Sequence, residues 1–447
     1  MKWKSVCLPA ILAIGCGLAP LAGWCQQYAK ADRRLAESML RDADADVQKH
    51  YYDSKFHGID WPGRVQEARK NIATARSMDD AVSEIAALLD SLHDSHTSLV
   101  LPPRTQVHDY GFQMEMIGDR CYVVRVRAGG DAEKKGLKEG DEVRAVNGYP
   151  VSRKDFRRLV YIVNVLRPQP ELRLTLADAA GGERQLEVTT RFQASTVSRY
   201  FLHQGINVLV RDADARREIL RPRYFEKGND LLVVKIPVFA FSALEVDNIV
   251  GKMRGHTGVV LDLRGNPGGY AGTLDRLLGG LFQNDVKILD RVSRGETKSL
   301  SATGRRHDAF TGRLAVLIDS ESASASEVLA RVVQLERRGF IVGDRSSGSV
   351  MEARVYPHQV ALDSPVSYAI SVTDADLVMT DGKSLEDVGV EPDIVVLPTG
   401  QDLANDRDPA LAKAVGLVGA KLSPEEAGKI LPHIESDQFS TALSLND

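Results

Sequence analysis

Cysteine is nearly absent from the body of this 447-residue chain. Of its four cysteines, Cys7, Cys16 and Cys25 fall among the first 25 residues, and only Cys121 lies beyond them. One body cysteine permits no internal disulfide, so stability has to come from core burial. Cys121 stands in the strand-like Asp119-Arg-Cys-Tyr-Val-Val-Arg-Val126, with no glycine turn or histidine beside it, and reads as a packed strand residue. Charge excess is lacking too. The net charge is -4 and the lysines and arginines are scattered rather than striped, which leaves no footprint for nucleic acid. No His-Glu-x-x-His or other metal-ligand spacing occurs, so no metal is expected. Gly265-Asn-Pro-Gly-Gly269 lacks the lysine and spacing of a phosphate loop or dinucleotide fingerprint, and no cofactor is expected. Internal repeats and low-complexity linkers are missing as well.

The residues present describe a soluble globular protein, 43% hydrophobic and 26% charged, too long for a single ordinary core. Residues 1–25 have the form of a secretory signal: Lys2 and Lys4 first, an apolar run from Val6 to Leu21, then Gly23 and Cys25. The run is short for a membrane span and contains Pro9 and Pro20, so no stable span is expected. Ala13-Ile-Gly-Cys16 has an alanine where a lipoprotein cleavage box usually begins with leucine. Soluble export, periplasmic or extracellular, is therefore expected rather than a lipid anchor.

Periodicity divides the rest. Residues 28–103 read as a helical cap, with helical spacing over Arg33 to Tyr51 and Met78 to Leu92 and a break at Pro62. Residues 104–191 change to short strands with glycine punctuation; Ala132 to Gly148 places a short helix, a turn, a strand and a hairpin. From 192 to 400, apolar strands (Leu231 to Val238, Gly258 to Leu263, Leu314 to Ile318, Phe340 to Val342) alternate with helical stretches (Leu244 to Met253, Ser326 to Arg337). That alternation predicts an α/β core with part of its sheet parallel and its ligands at the strands' carboxyl ends. A helical tail, 401–447, includes Pro409 to Leu417.

Two segments carry chemistry. Gly258-Val-Val-Leu-Asp-Leu-Arg-Gly-Asn-Pro-Gly-Gly269 is a buried strand running into a glycine turn, and Ser322-Ala-Ser-Ala-Ser-Glu327 is a serine cluster at the mouth of a helix. Serine on a helix N-terminus, facing amides that can point at an oxyanion, suits acyl transfer. The serines read equally well as caps, with Ser326 as the cap and Ser324 just outside it. The glycines read equally well as a tight turn needing positive φ. It is the pairing of the two features that favours chemistry.

The 104–191 segment resembles a PDZ domain, whose peptide-binding loop would be Tyr110, Gly111 and Phe112. Gly258 to Gly269, Ser322 to Leu329, Val342 to Ser349 and Gly389 to Asp393 resemble the carboxy-terminal processing and tricorn-core serine peptidases. The resemblance implies an α/β multidomain fold: a helical cap, a PDZ-like β-domain and a peptidase core of the ClpP/crotonase type. It also implies Ser324 as nucleophile, with the Gly269 and Ala325 amides as oxyanion hole. Ser-Lys relatives carry a lysine where Gly343-Asp-Arg-Ser-Ser-Gly-Ser349 ends in serine, so a Ser-Lys dyad is not expected. The tricorn-like pattern assigns His96, in Asp94-Ser-His-Thr97, as general base, with Ser95 and Glu386 in support. The expected activity is exported endopeptidase action on protein or peptide substrates. The alternative is a catalytically degenerate PDZ protein that binds peptides or a hydrophobic ligand. Lys383, in the polar turn Thr380 to Ser384, is a further candidate base.

Overall fold

The computed structural model describes residues 30–101, 106–177, 182–194, 220–360 and 366–431. The expected leader, with Cys7, Cys16 and Cys25, and the Pro102-Pro103 pair lie outside the described residues. Helix α1 (Lys30–His50) buries Leu35, Ala36, Met39, Leu40, Ala43 and Val47, one stripe of a 3.6-residue period. Pro62 does not break the cap. It opens α2 (Trp61–Thr74), capped by Asp60, whose carboxylate accepts from Gly63 N–H at 3.1 Å. Proline is tolerated there because a first-turn residue needs no N–H. Ser77 caps α3 (Met78–Asp90) in the same way, accepting from Asp80 N–H at 3.1 Å. The three helices close on one apolar cluster with Tyr51, Trp61 and Leu92.

Strand β1 (Ser98–Val100) leaves the cap. Then β2 (Gln106–Asp109) pairs with a later strand, and a β-domain follows: β3 (Phe112–Ile117), β4 (Arg120–Val126), α4 (Asp131–Lys134), β5 (Glu142–Val146), β6 (Tyr149–Pro150), α5 (Phe156–Tyr161), β7 (Glu171–Ala177) and β8 (Glu183–Thr189). Its sheet runs β3-β4-β5-β7-β8, with β3 at one edge, and β9 (Arg191–Ala194) pairs with β2. Cys121 is buried in β4, and burial, reinforced by the charges of Glu115 and Glu142, pushes its thiol up to about 12. A thiol so suppressed is a packing residue.

The core sheet runs β10 (Arg223–Lys227), β11 (Leu231–Lys235), β12 (Gly258–Asp262), β15 (Arg313–Ile318), β16 (Phe340–Gly343) and β19 (Ile394–Val395), all parallel except β10. Alternate residues of β11 face opposite layers. Leu232 and Val234 pack with α6 (Ala243–Arg254), α7 (Ala271–Gly279) and α8 (Ala325–Leu335), while Leu231 and Val233 pack with α9 (Pro409–Leu417). Periodicity alone did not announce a second, antiparallel sheet. It comprises β13 (Val286–Ser293), β14 (Glu296–Ala302) and the long hairpin β17 (Met351–Val360) and β18 (Val366–Met379), with β1 along β18. Tyr368, Ile370 and Val372 of β18 enter the cap's apolar cluster, so this hairpin fastens the cap to the core. Among the described residues no helix is long and apolar enough to cross a membrane.

Candidate active site

Ser324 stands between β15 and α8 with φ 54 and ψ -117. A non-glycine residue at such angles stores about 1–3 kcal/mol and persists only where its surroundings over-determine it. They do so here. Ser324 N–H donates to Ser349 O at 2.9 Å and to Glu327 Oε2 at 3.0 Å, and Ser324 O accepts from Glu327 N–H at 2.9 Å. Glu327 is buried and also accepts from Ser346 Oγ (2.5 Å), Gly348 N–H (2.8 Å) and Ser349 N–H (2.9 Å). Burial raises its pKa, and these donors pull the other way. The helix begins at Ala325, so Ser326 is not the cap; its Oγ donates to Asn266 O at 3.0 Å, inside the core.

Asn266 shapes the facing glycine turn. Its side-chain amide donates to Ile236 O at 2.9 Å, and its Oδ1 accepts the Gly268 N–H at 2.8 Å. Phe239 then bridges the turn, donating to Gly268 O and accepting from Tyr270 N–H, both at 2.7 Å. Backbone direction alternates along an extended segment, so the Gly269 N–H faces away from Phe239. Among the described residues neither that N–H nor the Ala325 N–H has a hydrogen-bond partner. Two unspent donors flank the serine, the requirement for stabilising an oxyanion. Gly268 has φ 102, and a Cβ on it would lie 2.7 Å from Ser324 Cβ. Gly268→Ala should therefore displace the serine and cut hydrolysis by about 100-fold or more, in kcat rather than KM.

The histidine comes from the cap. Asp94 Oδ1 accepts from His96 N–H (3.0 Å), Thr97 N–H (2.7 Å) and Thr373 Oγ1 (2.6 Å), pinning the loop to β18. His96 Nδ1 meets Ser95 Oγ at 2.6 Å. Glu386, 291 residues from Ser95, accepts its N–H at 2.6 Å and its Oγ–H at 3.0 Å. The same carboxylate accepts Val350 N–H at 2.8 Å, and the preceding Ser349 carbonyl holds Ser324. A continuous set of hydrogen bonds thus joins His96, Ser95, Glu386, the 349–350 backbone and Ser324. No hydrogen bond joins Ser324 Oγ to the ring itself in this structure; such bonds often tighten only with substrate present. Burial, then the Arg157 charge, push the His96 ring down to about 4 against the opposing Asp94. Burial pushes Glu386 up to about 7, its donors opposing and Asp94 assisting.

Comparison with known proteins decides the family. Residues 230–396 match peptidase family S41, and residues 98–176 match the PDZ domain. The core belongs to peptidase family S41. As an S41 serine peptidase with a PDZ domain, the chain is similar to the chloroplastic C-terminal processing peptidase of Tetradesmus obliquus, at 26% identity over 79% of this chain and 76% of that one. It is also similar to carboxyl-terminal-processing peptidase 3 of Arabidopsis thaliana, at 23% over 78% and 66%. Among solved structures, mature CPAF superposes with a TM-score of 0.62 at 15% identity, covering 84% of this chain and 95% of that one. The photosystem II D1 C-terminal processing protease gives 0.52 at 19%, covering 90% and 100%. At such identities these two show the fold.

Other expected residues fall outside this cluster. Lys383 of the S41 core is exposed in the turn after β18, away from the 94–97 loop's bonds. In the PDZ domain, Gly111 N–H donates to Asp109 Oδ1 at 2.9 Å, and Tyr110 is buried with its hydroxyl on Gln169 O at 2.7 Å. Gly111 therefore offers its amide to a carboxylate already within the chain, while Phe112 begins edge strand β3. Three contributors escaped the sequence reading. Glu327 had a signal, the S-x-x-E spacing from Ser324. Asp94 and Asn266 had none beyond polar residues in turns, because their value lies in which distant amides they meet.

Proposed function

We propose that this S41 peptidase is an exported serine endopeptidase that uses His96, not a lysine, as its base. The observation that carries the reading is the hydrogen-bonded set linking Glu386, Ser95 and His96 to the backbone that holds Ser324. His96 takes the Ser324 Oγ proton as Oγ attacks the scissile carbonyl carbon, and the new oxyanion accepts from the Gly269 and Ala325 amides. His96 then protonates the leaving amine, and water, deprotonated by the same ring, releases the acyl group. Ser349 occupies the position of the Ser-Lys lysine; its N–H serves Glu327 and its carbonyl serves Ser324, a structural task.

Export rests on the pattern of residues 1–25. The PDZ domain would engage substrate C-termini by strand addition to β3, an edge strand that pairs with β4 alone among the described residues. The relatives' names, C-terminal processing peptidase and carboxyl-terminal-processing peptidase, agree with action near C-termini. The test is labelling of the intact chain with a fluorophosphonate, followed by peptide mapping. The label is expected on Ser324, alongside cleavage of an unfolded protein. An unlabelled chain that binds a C-terminal peptide tightly would instead establish a binding protein.

A further inference from the structure

The two oxyanion donors sit on separate turns, beyond the carboxyl ends of neighbouring parallel strands. Gly269 follows β12 and Ala325 follows β15. Strand pairing fixes the two strand ends, and Leu263 N–H extends it by donating to Leu317 O at 2.9 Å. Past that point both chains leave the sheet, so contacts between the turns must set the gap between the two amides. An oxyanion needs both at once, and a misplacement of about 1 Å costs about 100-fold in rate.

Asp319, the first residue beyond β15, spans the gap with one oxygen. Its Oδ1 accepts Gly265 N–H, from the glycine turn, at 2.9 Å. The same Oδ1 accepts Glu321 N–H (3.1 Å) and Ser322 N–H (2.9 Å) from the nucleophile turn. Among the described residues no other side chain accepts main-chain amides from both turns. Charge on the acceptor strengthens each bond. Gly265 has φ 66, in the left-handed region, so the chain reverses at the residue whose amide Asp319 holds. Ser322 completes the brace. It is wholly buried, and its Oγ accepts Asp319 N–H at 3.0 Å. Its single hydroxyl proton serves Leu263 O at 2.9 Å or Asp319 Oδ1 at 3.0 Å. The Ser322 carbonyl accepts Ser347 N–H at 3.0 Å, and Ala323 N–H reaches back to Asn266 O at 2.9 Å. Gly269 and Ala325 lie just downstream of the two segments so fixed.

We propose that Asp319 is a positioning residue for catalysis: its Oδ1 sets the spacing of the glycine and nucleophile turns, and with it the fit of the Gly269 and Ala325 amides to the oxyanion. The proposal deepens the peptidase reading and rests on it for its kinetic readout. All these bonds land on Oδ1, the oxygen an asparagine keeps, so the brace depends on shape more than on charge.

Asp319→Asn should therefore hold kcat within about threefold of wild type. Asp319→Glu keeps the charge but carries it one methylene further out. It should lower kcat by about tenfold to 100-fold with KM little changed, as should Asp319→Ala. Affinity for a peptide aldehyde, whose hemiacetal with Ser324 puts its oxygen in the same hole, should fall in step with kcat. Merely structural damage would reduce the amount of active protein and leave the aldehyde affinity of the remainder unchanged. Hydrogen exchange at the Gly265 amide needs no catalysis: protection should persist in Asp319→Asn and drop in Asp319→Glu and Asp319→Ala. Asp319→Glu as active as Asp319→Asn, or Asp319→Asn as impaired as Asp319→Ala, overturns the proposal and leaves the peptidase reading standing. Equal Gly265 protection in all four proteins overturns it even if the chain never labels with a fluorophosphonate.

Discussion

Ser324→Ala should lower peptide hydrolysis by about five to six orders of magnitude and remove all fluorophosphonate labelling. The fold should be untouched, because what fixes this position is main chain. Ser324 N–H goes to Ser349 O and Glu327, and Ser324 O receives Glu327 N–H; alanine keeps all three. The φ of 54 is as costly for alanine as for serine, so the mutant inherits the strain without adding to it. The Gly269 and Ala325 amides also remain, so substrate binding should be retained and the loss should lie in kcat. Unfolding midpoints of the two proteins should agree, which separates lost chemistry from lost structure. Measurable turnover equal to wild type would move the nucleophile elsewhere, with Ser322 and Ser326 already spent on Leu263 O and Asn266 O.

What the chain disclosed beforehand and what it hid divide along physical lines. Local patterns were legible: the continuous apolar run of β12, buried at every position, the amphipathic stripe of α1, and the glycine turn after the strand. These depend on residues within a few positions of one another. Pro62 misled because proline both ends and begins helices, and the Asp60 cap decides which. The β17–β18 hairpin was missed although Tyr368, Ile370 and Val372 alternate on one face, because its partners β13 and β1 are distant in sequence. Ser324, His96, Ser95 and Glu386 were named from motifs, yet other parts that hold them were not. Asp94 acts through Thr373, Glu327 through the 346–349 loop, and Asp319 through Gly265, contacts that only the folded chain creates.

His96→Ala should cost about four orders of magnitude or more in kcat, while Lys383→Ala leaves activity unchanged. The more discriminating result concerns pH. With its pKa pushed down to about 4, the ring is already neutral well below neutrality, so an acid limb caused by His96 would fall near 4. Glu386, pushed up to about 7, predicts a different limb. When Glu386 is ionised, Ser95 Oγ–H donates to it, and Ser95 Oγ must then accept from His96 Nδ1–H. That tautomer leaves the Nε2 lone pair for the Ser324 proton. When Glu386 is protonated, it donates to Ser95, whose hydroxyl can turn its proton to Nδ1 and place the ring hydrogen on Nε2, where it blocks the base. Activity should thus rise as Glu386 loses its proton, with kcat/KM climbing through about pH 7. Glu386→Gln has an amide that donates to Ser95 at every pH and should trap the unproductive tautomer, losing about 10⁴-fold by analogy with an amide at the third position of a serine triad. A profile whose acid limb sits near 4 and survives Glu386→Gln would assign the titration to the ring alone and reduce Ser95 and Glu386 to scaffolding.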